Sequence, residues 1–258
     1  MIQSLLAEFC VRLAAGLACM MICTSGRSVG VQFFRTLMLV VLGLAVFGIL
    51  IGPGLGHISG LVLLGSAVLA FIGSVVWTLG RLVGGQAVSA LLFACTAIAL
   101  LAPLRPSDSR NAADCVLLTS EAATSALVLG SMTAAMLLGH SYLIAPAMSI
   151  EPLKRLVLWI GGSLAARAAV AMLELALVGR GGAAGASIVT SSGLWWTLLV
   201  ARWLIGLVGP AIMACMVWQT TRIRSTQSAT GILYAGVILI FFGELVDEML
   251  SSQPALAM

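Results

Sequence analysis

The chain has 258 residues, of which 61% are hydrophobic and only 9% charged, and it carries a formal net charge of +4. A soluble domain carries about a quarter charged residues, so a water-soluble fold is excluded for want of polar surface to cover a core. The positive excess is spread over short connections with no basic tract, which excludes a nucleic-acid partner.

The apolar residues come in runs of about 20, the length that crosses a bilayer as a helix. The alternating segments of about ten residues that a membrane β-barrel needs are missing. The predicted fold class is all-α: a polytopic transmembrane helical bundle of eight spans, at 4–24, 31–52, 57–79, 86–104, 116–140, 154–179, 193–219 and 228–249.

Span one carries Glu8 and Arg12, four apart in the favourable helical order. Without a basic leader region or a small-residue cleavage site it reads as a retained span. Its Cys10 shares a membrane face with Cys115 of span five, so a bridge between them is geometrically conceivable. "GPGLG" at 52–56 separates spans two and three, and His57 opens span three. "PLRPSDSRNAAD" at 103–114 is the one clearly polar linker. Span five contains Glu121 and ends at His140, before the prolines of "APAMSIEP". Span six holds Arg167 and Glu174, seven apart and so on one face. "GRGGAAGAS" at 179–187 is a flexible connection. Span seven holds Arg202 and Pro210, the latter predicted to kink it. Span eight holds Glu244, with Asp247 and Glu248 read as charges of its terminal end.

Loop charges set the orientation. One face receives Arg27, Arg35, Arg81, Lys154, Arg155, Arg222 and Arg224; the other receives Arg105, Arg110 and Arg180. By the positive-inside rule the first face is cytoplasmic, and with eight spans both termini lie on the non-cytoplasmic side. The expected location is a bacterial inner membrane, with the lipid bilayer as principal partner.

Shifted by 141 positions, "VWTLGRLVGGQAVSALLF" (76–93) falls on "VWQTTRIRSTQSATGILY" (217–234). Leucine matches mean little here, but Trp77, Arg81 and Gln86 meet Trp218, Arg222 and Gln227, and these types are scarce. The reading is a parallel tandem repeat of two four-helix units: an N-terminal repeat at 1–104, a linker at 105–115 and a C-terminal repeat at 116–258. Trp77 is expected to occupy the place of Trp218.

Glu8, Arg12, Glu121, Arg167, Glu174, Arg202 and Glu244 all lie inside predicted spans, in the non-cytoplasmic half. A charge at the bilayer centre costs about 2.5–3.5 kcal/mol on insertion scales, so each should face protein or water. Two expectations follow. In one, ion pairs hold the helices in register. In the other, Arg202, Arg167, Glu174, Glu244 and Glu121 line an outward-facing polar cavity in the second repeat, the arginines holding an anionic or carbonyl group and Glu174 or Glu244 exchanging protons. Arg202, nearest the midplane, is expected to contact Glu174 or Glu244.

His57 and His140 lie about a bilayer apart, so a bis-histidine haem is not expected, nor any other cofactor or a metal site. His140 suits an inner-side proton relay or quinone contact. No nucleotide loop, HExxH or Gly-x-Ser-x-Gly elbow is present, so no enzyme is expected. The functional expectation is a small-solute or proton-coupled permease. The alternative is a non-catalytic membrane subunit of a respiratory or other multisubunit complex, with other membrane subunits as partners.

Overall fold

A computed structural model describes residues 2–24, 26, 29–51, 57–102, 112–144, 148–180 and 193–251. Among them the chain is all-helical, and eight helical segments are long and apolar enough to cross a membrane. Six are single helices: α1 (Ile2–Cys23), α2 (Val31–Ile51), α3 (His57–Thr78), α4 (Leu82–Leu101), α5 (Ala112–Ile144) and α6 (Glu151–Arg180). The seventh joins α7 (Gly193–Trp203), a π-helical turn (Leu204–Val208) and α8 (Gly209–Arg222); α9 (Thr226–Ser251) is the eighth.

All eight expected spans are helical, but several outrun their expected bounds. Helix α5 begins at Ala112, inside the expected linker, and runs to Ile144; α9 continues to Ser251. The segment 52–56, most of the polar linker including Arg105 and Arg110, residue Arg27 and most of the glycine-rich connection lie outside the described residues. Just before Pro210, where the sequence predicts a kink, the helix takes a π turn. Proline has no N–H for the carbonyl four residues back and its ring crowds that carbonyl. The turn widens, and the N–H of Gly209 donates to the carbonyl of Leu204, five residues back.

Helices α1 and α5 form the centre. Of their apolar windows 61% and 78% are buried, against 17% for the seventh span. Around α1 the first half closes a ring, α1–α2–α3–α4 and back to α1; around α5 the second closes another, α5–α6–α8–α9 and back to α5. The rings meet along α1 and α5, which run parallel.

That contact is made by backbone. A Cβ added to Gly16 would sit 1.8 Å from the carbonyl oxygen of Ala126, and one added to Gly130 would sit 2.1 Å from the carbonyl carbon of Gly16. Small residues allow such approach, and in a bilayer close packing replaces the hydrophobic effect between helices. A second such crossing joins the seventh and eighth spans: a Cβ on Gly243 would lie 2.2 Å from Cα of Gly206.

Elsewhere the core is aliphatic and aromatic, with Trp77 stacked on Phe34 at 4.1 Å. Several buried hydroxyls return to their own helix, Ser66 donating to the Val62 carbonyl, Ser89 to Gly85 and Thr96 to Leu92, whereas Ser131 and Ser163 meet across α5 and α6 at 3.2 Å. Large apolar side chains such as Leu50, Leu61, Phe71 and Ile98 are exposed, as befits a surface facing hydrocarbon. All six cysteines are free, so the conceivable Cys10–Cys115 bridge is not formed.

A side chain at the central crossing has nowhere to go. Gly16→Leu or Gly130→Leu is expected to cost at least about 3 kcal/mol, the upper end of overpacking penalties. Gly43→Leu is expected to be tolerated, since nothing lies within 4 Å of a Cβ there. Size-exclusion profiles and thermal unfolding in detergent check both.

Candidate functional site

The charged side chains gather at the end of the bundle where α1 begins and α9 finishes, and the two glycine crossings explain how. On the parallel pair α1 and α5, one turn outward from Gly16 is Arg12, and just over one turn outward from Gly130 is Ser125; the Arg12 guanidinium donates to the Ser125 hydroxyl at 3.4 Å. On the antiparallel pair, one turn outward from Gly206 is Arg202 and one turn outward from Gly243 is Asp247, and these two form an ion pair.

From these anchors the network spreads over five spans. Arg12 lies 4.0 Å from Glu8, 3.4 Å from Glu248 and 3.8 Å from Glu121. Glu121 is shared with Arg167, also at 3.8 Å, and its backbone carbonyl accepts from Arg167 at 3.2 Å. Arg167 faces Glu244 at 3.5 Å and is hydrogen-bonded to Asp247. Asp247 thus bridges Arg167 and Arg202, and Arg202 ends the chain of pairs on Glu174 at 2.7 Å. Ser125 donates to Glu244 at 2.5 Å. Arg167, Glu121, Glu244, Asp247 and Glu248 are buried.

Six carboxyl groups therefore face three guanidiniums. Both oxygens of Glu248 and Oε1 of Glu121 are buried without a hydrogen bond among the described residues, so charge at ion-pair distance is what holds them. The space among Arg167, Arg202, Leu207, Glu244 and Asp247 amounts to about 10 Å³, room for about one water. Here the charges pack against one another and do not line an open cavity.

Each sequence-predicted residue has a definite place. Arg202 meets Glu174, one of its two expected partners; Glu244 pairs with Arg167 instead. Arg167, Glu174, Glu244, Glu121 and Arg202 all belong to one network. It is not confined to the second half, because Arg12 and Glu8 of α1 join it. His140 stands apart, exposed, with its Nδ1 3.2 Å from the Tyr234 hydroxyl.

Sequence reasoning missed Asp247 and Glu248, assigned to the end of the last span. Helix α9 carries both into the protein, and each is nearly fully buried. The signal was present: Glu244, Asp247 and Glu248 are spaced i, i+3, i+4, which puts three acids on one helix face.

Comparison with known protein families, characterised proteins and solved structures gives no match to this chain, so its chemistry is read from this geometry alone.

Arg202 and Arg167 differ in how many carboxylates depend on them. Arg202→Leu is expected to destabilise by about 3–5 kcal/mol, the cost of breaking one side of a buried pair. Adding Glu174→Leu should restore a substantial part. Arg167→Leu leaves Glu244 without an arginine and takes one of two arginine partners from both Glu121 and Asp247, so removing Glu244 alone should restore less than Glu174→Leu restores to Arg202→Leu. Thermal unfolding of single and double variants in one detergent makes the comparison.

Proposed function

We propose that the protein is a proton-coupled permease for a small anionic or carbonyl-bearing solute, with the buried network as its coupling element. The observation that carries this reading is the surplus of carboxyls over guanidiniums in one buried cluster that joins both halves. A guanidinium keeps its charge in a protein, so only the carboxyls can exchange protons. Arginines supply the anion-binding chemistry. The network is described with its charges closed on one another; in this reading a solute would take the place of one carboxylate on Arg202 or Arg167.

The two halves, in the same reading, are a parallel tandem repeat related by an axis along the membrane normal. The matching rings of helices support it. So does burial: Ser89, Leu92, Thr96 and Ala99 of α4 are buried, and the residues 141 further on, Thr230, Leu233, Val237 and Ile240 of α9, are buried too. The equivalence is looser in the third and seventh spans, where Trp77 is fully buried and Trp218 only partly.

We place the arginine-rich end in the cytoplasm of a bacterial inner membrane. Arg35, Arg81, Arg155, Arg222 and Arg224 are exposed at that end, opposite the ion network. In a cysteine-free background, Arg81→Cys and Arg224→Cys are expected to react with a membrane-impermeant maleimide only after the cells are opened. Labelling of intact cells from outside would reverse the orientation.

The transport reading is tested in proteoliposomes that carry a pH-reporting dye and are challenged with a panel of small organic anions and inorganic phosphate. At least one class should move protons with it, and Glu244→Gln protein that still elutes as a folded species should not. If no member moves protons faster than in protein-free vesicles, the permease reading fails.

A second reading is favoured by one observation: the seventh span is the least covered by its own chain. It is that of a non-catalytic membrane subunit whose exposed span meets another subunit. Stoichiometric co-purification with other polypeptides in mild detergent would support it, whereas recovery as a single polypeptide supports the permease.

A further inference from the structure

Toward the opposite end from the ion network, α6 and α8 meet less extensively than their neighbours do. Between them lies an open groove of about 490 Å³, lined by Leu158, Gly161, Gly162, Ala214, Cys215 and Trp218. Its floor is bare: nothing lies within 4 Å of a Cβ built on Gly161 or Gly162. The corresponding pair in the first half, α2 and α3, is closed by extensive packing. A groove with these walls suits hydrocarbon, not water.

Its mouth is cationic. Arg155 lies three residues before Leu158 on α6, and Arg222 lies four after Trp218 on α8, so helical register carries both one turn beyond the groove on the faces that line it. Both are exposed, and neither forms an ion pair among the described residues. Their neighbour Lys154 is held by Glu151 at 3.3 Å, which leaves the two arginines as the donors. Trp218, amphipathic, stands between the apolar walls and this charged rim, the position tryptophan favours at a membrane boundary.

We propose that this groove binds an anionic phospholipid, with an acyl chain between α6 and α8 and the phosphate held by Arg155 and Arg222. Charge complementarity decides between occupants. An arginine presents a fork that matches phosphate oxygens, and basic pockets between membrane helices are suited to anionic headgroups. A second copy seated through the same groove by two-fold symmetry would instead bring another Arg155 and Arg222 alongside the first pair, like charge against like.

The test places purified full-length protein in nanodiscs holding equal amounts of phosphatidylglycerol and phosphatidylcholine with identical acyl chains, then measures retained lipid by native mass spectrometry. Wild-type protein is expected to keep phosphatidylglycerol in preference to phosphatidylcholine. The pair Arg155→Gln and Arg222→Gln should abolish the preference. Gly161→Leu, which fills the groove where the fold leaves space, should abolish retention of both lipids without changing the thermal unfolding temperature. Equal retention of the two lipids by wild-type protein overturns the proposal, as does retention unaffected by Gly161→Leu. A wild-type dimer that Gly161→Leu converts to monomer would also overturn it, by assigning the groove to a second copy.

Discussion

A guanidinium cannot shed its charge inside a protein, and among the described residues three of them sit among carboxylates in the interior of the bundle. Each must be paired, and the rest of the architecture can be read as the means of pairing them. Arg12, Arg167 and Arg202 come from three different spans, and their carboxylates come from α1, α5, α6 and α9. Helices bearing long charged side chains pack at ordinary distances only if something else lets their backbones close. The glycine pairs Gly16–Gly130 and Gly206–Gly243 do this, each about one turn inward from the charges it brings together. Neither feature stands alone: without the glycines the pairs open, and without the pairs the crossings bury unmatched charge.

The two halves spend the same ring of helices differently. In the first, the buried hydroxyls Ser66, Ser89 and Thr96 of α3 and α4 are bonded to their own helix, which costs little and specifies no partner. In the second, α9 carries Glu244, Asp247 and Glu248 into the interior. Trp77 and Trp218 also differ in their surroundings. Trp77 lies over Gly85, where a Cβ would come within 2.6 Å of its ring. Trp218, only partly buried, lines the open groove instead. The second half holds most of the buried charge and the groove, while the first contributes Glu8 and Arg12 of α1 to the network.

The bundle was legible because membrane spans are written in a local language: a run of about 20 apolar residues needs no tertiary information to be recognised. The ion network was legible in part for the same reason, since Arg167, Glu174 and Arg202 interrupt such runs. Asp247 and Glu248 were not, because hydropathy cannot distinguish an acid at a helix end that meets water from one the helix carries inward. Only their spacing with Glu244 held that information. The sharing of Glu121 and Asp247, each between two arginines, was beyond sequence altogether. It depends on which helices are neighbours, and that is fixed by glycine contacts far apart in the chain. The residues lining the α6–α8 groove look like ordinary span residues one by one, and only the way the two helices meet makes them a surface.

Sharing also constrains how such a network could move. Leaving one buried arginine without a carboxylate costs several kcal/mol, so large separations of the helices are disfavoured unless pairs are exchanged and not merely broken. Asp247 and Glu121 each touch two guanidiniums, so either can release one and keep the other. A surplus of carboxyls means that a released acid can be neutralised by a proton while every arginine retains a partner. Under the transport reading, this is the physical basis of coupling: proton arrival on a shared acid frees one arginine for a solute anion, and solute departure returns the arginine to the acid as the proton leaves. The same sharing would let a purely structural cluster absorb small shifts between the halves without breaking, so the difference between the two roles lies in whether a solute anion can reach Arg202 or Arg167 through the close crossing at Gly206 and Gly243.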